Sequence, residues 1–219
     1  MSARDRILSK LSRTLTAGVT PEERVAAVDE RLTGAGEPRP RPDFATLDGP
    51  ARIDQFVTRL EAVDGTVSRL DALDDLPEAL ADQLRQRNLP AAIRHGQDPM
   101  FQTLNWGPVE ASEGVGRIDE PATLSRAQMG MAETGTLVLA SGPDNPVTLT
   151  FLGETHFVVL RESDVCAGFE DMWAAVRERS LHPRTLNMVT GPSRSADIGQ
   201  VLQLGAHGPV ALHVFLVKD

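Results

Sequence analysis

Three short stretches of the chain gather side chains able to do chemistry. The first is Thr190-Gly191-Pro192-Ser193-Arg194-Ser195-Ala196-Asp197, in which three hydroxyls and a guanidinium follow the apolar run 186–189. The planar arginine fork matches a carboxylate or phosphate at two points, so the ligand this stretch suits is a small anion. If the apolar run is a strand and a helix follows, the loop stands where open α/β sheets bind ligands. There the free N–H groups and positive end of a helix face the anion. The same residues also serve as plain architecture, with Ser193 or Ser195 capping the helix and Arg194 pairing with Asp197 three positions on. The loop is not a nucleotide phosphate loop, because it lacks the Gly-Lys-[Ser/Thr] ending.

The second stretch is Ala132-Glu133-Thr134-Gly135-Thr136. Gly135 between two threonines permits a tight turn with both hydroxyls projecting together, and Glu133 brings a carboxylate able to act as acid, base or nucleophile. A turn carrying an exposed glutamate accounts for the same residues. The third is Gly205-Ala206-His207-Gly208-Pro209, with His213 further on. His207 between small residues is a candidate proton carrier near neutral pH, while a helix end at Gly205 and a turn at Gly208-Pro209 are the structural account. The remaining histidines, His95, His156, His182 and His213, have no spacing that gathers metal ligands on one face, so no metal site is expected. Cys166 lies in an apolar setting and reads as a packed thiol before it reads as a nucleophile.

The elements that must position these residues follow from hydrophobic periodicity. Ile7, Leu8, Leu11 and Leu15 predict a helix, and Thr20-Pro21-Glu22-Glu23 predicts the capped start of a second one carrying Val25, Val28 and Leu32. Prolines 38, 40 and 42 with Gly34 and Gly49 oppose regular structure, so residues 1–49 are expected to be a helical arm with a Pro-rich linker, followed by an α/β domain over 50–219. In that domain Ile53, Phe56, Val57 and Leu60 mark one buried helical face. Strand 66–70, helix 75–88 and strand 90–94 then form a βαβ unit. Runs 136–140, 148–152 and 155–161 predict a β-meander, and helix 167–180, strand 185–189, helix 195–204 and strand 211–217 close the chain. The expected fold is a three-layer α/β domain with a mostly parallel sheet and an antiparallel insertion near residues 133–161.

Composition removes several functions. Net charge is −9 at pH 7, with 31 acidic against 22 basic side chains, which argues against nucleic acid as partner while leaving room for a local anion site. No ~20-residue apolar run exists, so a membrane span is not expected. A single cysteine excludes an intramolecular disulfide and a four-thiolate iron–sulfur centre, and suits a cytoplasmic chain. No Gly-x-Gly-x-x-Gly, nucleophile elbow or kinase pattern appears.

Taken together and in this order, Ala132-Glu133-Thr134-Gly135-Thr136, Thr190 through Ile198, and Gly205-Ala206-His207-Gly208-Pro209 with Leu212-His213-Val214 closely resemble the lactate-utilisation protein C family, whose core is the LUD domain. One departure is Leu152-Gly153-Glu154-Thr155 before His156, where relatives tend to carry prolines. The resemblance implies a fold like that of the sugar-phosphate isomerase and CoA-transferase superfamily. It also implies work alongside two cysteine-rich iron–sulfur proteins in oxidising L-lactate to pyruvate. Because this chain cannot supply the thiolates, clusters are expected in the partners and none on this chain. The chain's share would be a small carboxylate- or phosphate-binding pocket, or an assembly surface. Arg194 and the N–H groups of residues 193–195 would hold the anion beside Thr134, Gly135, Thr136, Thr190, Gly191 and Gly208, with Glu133 and His207 as the groups closest to chemistry. Two rivals remain open: a self-contained enzyme acting on an acyl-CoA or phosphosugar through Glu133, and a regulatory module that binds a metabolite without turnover.

Overall fold

The computed structural model describes residues 2–15, 18–33, 40–196, 202–205 and 207–219, which fall in two units, Met1–Arg41 and Pro42–Asp219. The first unit holds α1 (Ala3–Leu15) and α2 (Pro21–Leu32). Its capping is what the residue order predicts. The Thr20 hydroxyl accepts from the Glu23 N–H, the Glu23 carboxylate accepts from the Thr20 N–H at 2.7 Å, and Pro21 opens the first turn. Neither helix has a buried residue.

The second unit begins with a single 3-10 turn at Asp43–Ala45, whose Ala45 is buried. It continues through α3 (Gly49–Glu61), β1 (Thr66–Leu70), α4 (Leu76–Gln86), β2 (Ala92–His95), α5 (Pro99–Gln102), β3 (Glu110–Glu113), β4 (Ala122–Arg126), β5 (Met129–Met131) and β6 (Thr136–Ala140). The remaining elements are α6 (Val147–Phe151), β7 (Thr155–Arg161), β8 (Val165–Cys166), α7 (Phe169–Glu178), β9 (Leu186–Val189), β10 (Arg194–Ala196), β11 (Leu202–Leu204) and β12 (Ala211–Val217). No described helix is long and apolar enough to cross a membrane.

Six strands pair in parallel in the order β1-β12-β7-β4-β2-β3. The central strands β7 and β12 are near-continuous apolar runs because both of their faces are covered. On one face Phe157, Val159, Phe215 and Val217 pack under Leu76, Leu80 and Leu84 of α4 and Phe101 of α5. On the other, Val158, Leu160, Val214 and Leu216 meet Ile53, Phe56 and Leu60 of α3 together with Leu137 and Leu139 of β6. That second layer is shared between a helix and a small mixed sheet, ordered β8-β5-β6-β9. The far side of the small sheet, Met129, Met131 and Val138, is closed by Met172 of α7. The fold is thus the three-layer α/β arrangement with a mostly parallel sheet.

Three local expectations give way. Residues 148–152 do not form a strand. Pro146 starts the short helix α6, and the buried Thr123 hydroxyl donates to the Leu149 carbonyl at 2.7 Å. A β-branched composition is a weak preference that such tertiary contacts override. The helix expected over 195–204 is replaced, among its described residues, by the antiparallel pair β10–β11; Leu202-Gln203-Leu204 alternates with the period of a strand. The antiparallel insertion is also displaced. β6 pairs antiparallel with β5 and with the distant β9, while β7 sits in the middle of the parallel sheet.

Candidate functional site

The three sequence stretches converge, but at the end of the sheet opposite to the one their order suggested. Thr190 follows β9, which belongs to the small mixed sheet, and Gly205–Val210 precedes β12. Leu152–Glu154, which joins this region, precedes β7, and the Val210 N–H donates to the Glu154 carbonyl at 2.8 Å. The site therefore lies at the amino ends of β7 and β12.

Its base is a row of three hydroxyls. Thr134 and Thr136 are 2.7 Å apart at their Oγ1 atoms, and Thr136 and Thr190 are 2.6 Å apart. Thr136 is buried and Thr190 exposed, so the row carries a hydrogen-bond chain from the interior to the surface. Two glycines make this approach possible. Gly135 has φ +68°, and a Cβ there would lie 2.4 Å from the Leu60 nitrogen at the end of α3. Gly191 has φ +87°, and its Cβ would lie 2.6 Å from the Val63 carbonyl. Both positions require a backbone that only glycine adopts without strain, and both press a loop onto the same helix end.

The anion loop is held differently from its expected form. The Ser193 N–H donates to the Pro209 carbonyl at 2.8 Å, and the Gly205 N–H donates to the Ser193 carbonyl at 3.1 Å, so this backbone joins two loops, and among the described residues no helix begins here. Arg194 forms an ion pair with Asp64. Asp197, its alternative partner in the sequence, lies outside the described residues, and Ser195 is placed only as a member of β10. His207 is exposed, with its N–H 3.4 Å from Ser193 Oγ, and Gly208 lies against the Ser193 side chain. Thr190, Gly191, Ser193, Arg194, His207 and Gly208 all line one cavity of about 260 Å³. A second cavity, of about 440 Å³, adjoins it and shares Phe151, His207 and Gly208.

Glu133 faces elsewhere. Its Oε2 accepts from the N–H of Phe169, the first residue of α7, at 3.2 Å, and its own N–H donates to the Ala167 carbonyl at 2.9 Å. A carboxylate at a helix N-terminus satisfies an otherwise open donor and meets the positive end of the dipole. The sequence also passed over Thr150. This residue lines the smaller cavity, and its hydroxyl is buried without a hydrogen-bond partner. A run read as a strand concealed it.

Other candidate groups are structural in their surroundings. Burial pushes the Cys166 thiol up to about 11, and its Sγ donates to the Gly130 carbonyl at 3.1 Å. Burial lowers His156 to about 3 and, with the Arg87 charge adding to it, His213 to about 4. His213 Nδ1 is 2.7 Å from the Thr66 hydroxyl. Among the described residues, no three His, Cys, Asp or Glu side chains come together as metal ligands.

A three-layer α/β domain with a parallel sheet and a hydroxyl-lined cleft at its amino edge is the class these features define. Within that class, the sequence model of the LUD domain matches residues 53–217, and the chain belongs to the LUD domain family. It is similar to lactate utilization protein C of Geobacillus sp. (strain WCH70), 34% identical over 118 residues covering 50% of this chain and 49% of that protein. It is likewise similar to lactate utilization protein C of Anoxybacillus flavithermus, at 33% over 108 residues covering 46% and 49%. The chain thus spans about half the length of these curated relatives. The uncharacterized protein YkgG of Escherichia coli is 22% identical over 75% of this chain and 73% of its own. A crystal structure of a DUF162 family protein from Deinococcus radiodurans superposes with a TM-score of 0.62 over 78% of this chain and 99% of that one, at 23% identity, a likeness of fold.

Proposed function

We propose that this lactate-utilisation family member is the cluster-free subunit of a cytoplasmic assembly that oxidises L-lactate to pyruvate, with electrons carried by two cysteine-rich iron–sulfur partners. The observation that carries this is the LUD domain match over residues 53–217, supported by the likeness to proteins named for lactate utilisation. The chemistry of the chain agrees. Its one cysteine is held as a protonated, hydrogen-bonded thiol in a half-buried position, whereas cluster ligation needs several thiolates.

The cleft at the amino edge is the chain's contribution. Arg194 and Asp64 are both well exposed, and such a pair is worth at most about 1 kcal/mol. A substrate carboxylate therefore displaces Asp64 at small cost and gains the two-point arginine geometry. Thr190 and Ser193 line the same cavity and supply donors and acceptors for an α-hydroxyl group. His207 closes the cavity on the exposed side.

The test is a pull-down of tagged wild type and Arg194→Ala from lactate-grown cells, followed by lactate-dependent dye reduction on the eluate. The expected result is co-purification of two cysteine-rich proteins with both versions. Activity is present with wild type and reduced roughly tenfold or more by the substitution, the loss of one charge-assisted contact. Recovery of the protein alone, with no activity toward lactate, overturns the proposal.

A further inference from the structure

We propose that the carboxyl edge of the parallel sheet holds a second small-molecule site, one that takes an oxyanion carrying a neighbouring hydroxyl group. The proposal does not rest on the lactate reading. Three adjacent parallel strands end there together. Leu70 closes β1, Lys218 follows β12 and Glu162 follows β7, and all three residues line one cavity of about 570 Å³. That volume is within the ~300–1,000 Å³ of small-ligand sites, and the carboxyl end of parallel strands is where open α/β sheets hold their ligands.

Arg52 from α3, Arg69 from β1 and Lys218 line the cavity together with Asp71 and Glu162; Asp54 already pairs with Arg69, so Arg52 and Lys218 are the cations left to meet an anion. Each cation comes from a different element, so the cluster is made by the fold. Arg69 is fixed in place by Asp54 through one Nη at 2.5 Å, which leaves its other donors open. The Lys218 backbone is anchored by its N–H to the Leu70 carbonyl at 2.9 Å. Arg52 is half-buried, and its Nε is out of reach of solvent without a hydrogen-bond partner. An oxyanion in the cavity can meet the outer nitrogens of this guanidinium. Asp71 and Glu162 accept hydrogen bonds only, which suits a hydroxyl on the ligand and opposes a ligand that is anionic throughout.

Titration calorimetry on the whole chain distinguishes the sources of such an oxyanion, with L-lactate as hydroxy-carboxylate, glycerol 3-phosphate as hydroxy-phosphate and inorganic phosphate as the bare anion. The expected result is binding of one hydroxylated probe more tightly than phosphate. That binding weakens roughly tenfold in Arg52→Gln and in Lys218→Ala and, for glycerol 3-phosphate, is unchanged in Arg194→Ala, whereas L-lactate shows in addition the amino-edge site that Arg194→Ala removes. Lys218 is exposed, so its substitution tests the site with the fold intact. Absence of binding by all three at millimolar concentration overturns the proposal. So does equal binding of all three, or binding that Arg194→Ala abolishes and Lys218→Ala leaves alone. The last outcome places the ligand at the amino edge and leaves the lactate proposal standing.

Discussion

At the amino ends of β7 and β12 the motif residues answer one another, and the unpartnered Thr150 hydroxyl is not one of them. Thr134, Thr136 and Thr190 share hydrogen bonds, the Ser193 amide is taken by Pro209, Arg194 is met by Asp64, and nearby Glu133 caps α7. At the carboxyl ends of the same strands the Arg52 Nε has no partner, and three cations surround open volume. The two edges teach that motif density and readiness for a ligand are separate properties. Residues that stand out in sequence often do so because a tight backbone needs them. A binding edge is assembled from side chains that are unremarkable until strands end side by side.

The comparison breaks first, and with the largest effect, at Gly135. Substitution by valine places a side chain at φ +68° and onto the end of α3. The expected loss is roughly 3–5 kcal/mol of unfolding free energy in urea. A loss below about 1 kcal/mol would mean that the turn is loose and the amino edge is not the rigid one.

Acid offers the next largest effect, because two buried histidines, His156 and His213, stand in the amino halves of their strands. Their folded pKa values, about 3 for His156 and about 4 for His213, lie below the ordinary 6.5. As pH falls below about 6.5 the unfolded chain takes up protons that the native state refuses, so stability decreases. It continues to decrease until each folded value is reached, and above about pH 7.5 neither histidine contributes to the slope. Between about pH 6.5 and 5 the two together cost about 3 kcal/mol. Urea unfolding of wild type against His156→Leu checks this, the variant losing about half of the slope. An unchanged slope would assign the acid sensitivity to other groups.

The smallest effect sharpens the role of Glu133. Glu133→Gln keeps an acceptor and removes the charge at the α7 N-terminus, with an expected cost of about 0.5–1 kcal/mol at low salt, shrinking as salt is added. If urea unfolding shows no cost and no salt effect, the carboxylate is free of the helix and returns to the candidates for acid or base chemistry.

Much of the fold was legible in residue order. Ile53, Phe56 and Leu60 kept their helical face, and 66–70, 136–140, 155–161 and 211–217 are strands over just those residues. So too is the capping of α2 by Thr20 and Glu23. These signals are local, since periodicity, caps and turn residues act over a few positions. What failed was where a neighbour decides. Residues 148–152 have a strand composition, but Pro146 and the Thr123 hydroxyl make them a helix. Residues 194–196 and 202–204 pair with each other as strands.

The candidate site divides along the same line. The residue types determined that Thr134, Thr136, Thr190 and Arg194 would be polar groups set beside glycines, and that one cysteine could not hold a cluster. Only the tertiary structure decided which end of the sheet they occupy, that Asp64 meets Arg194, and that Arg52, Arg69 and Lys218 share a cavity. The reason is distance along the chain. Lys218 and Arg52 lie at opposite ends of the domain, and strand order, which no local pattern encodes, sets β12 beside β1 and so brings them together.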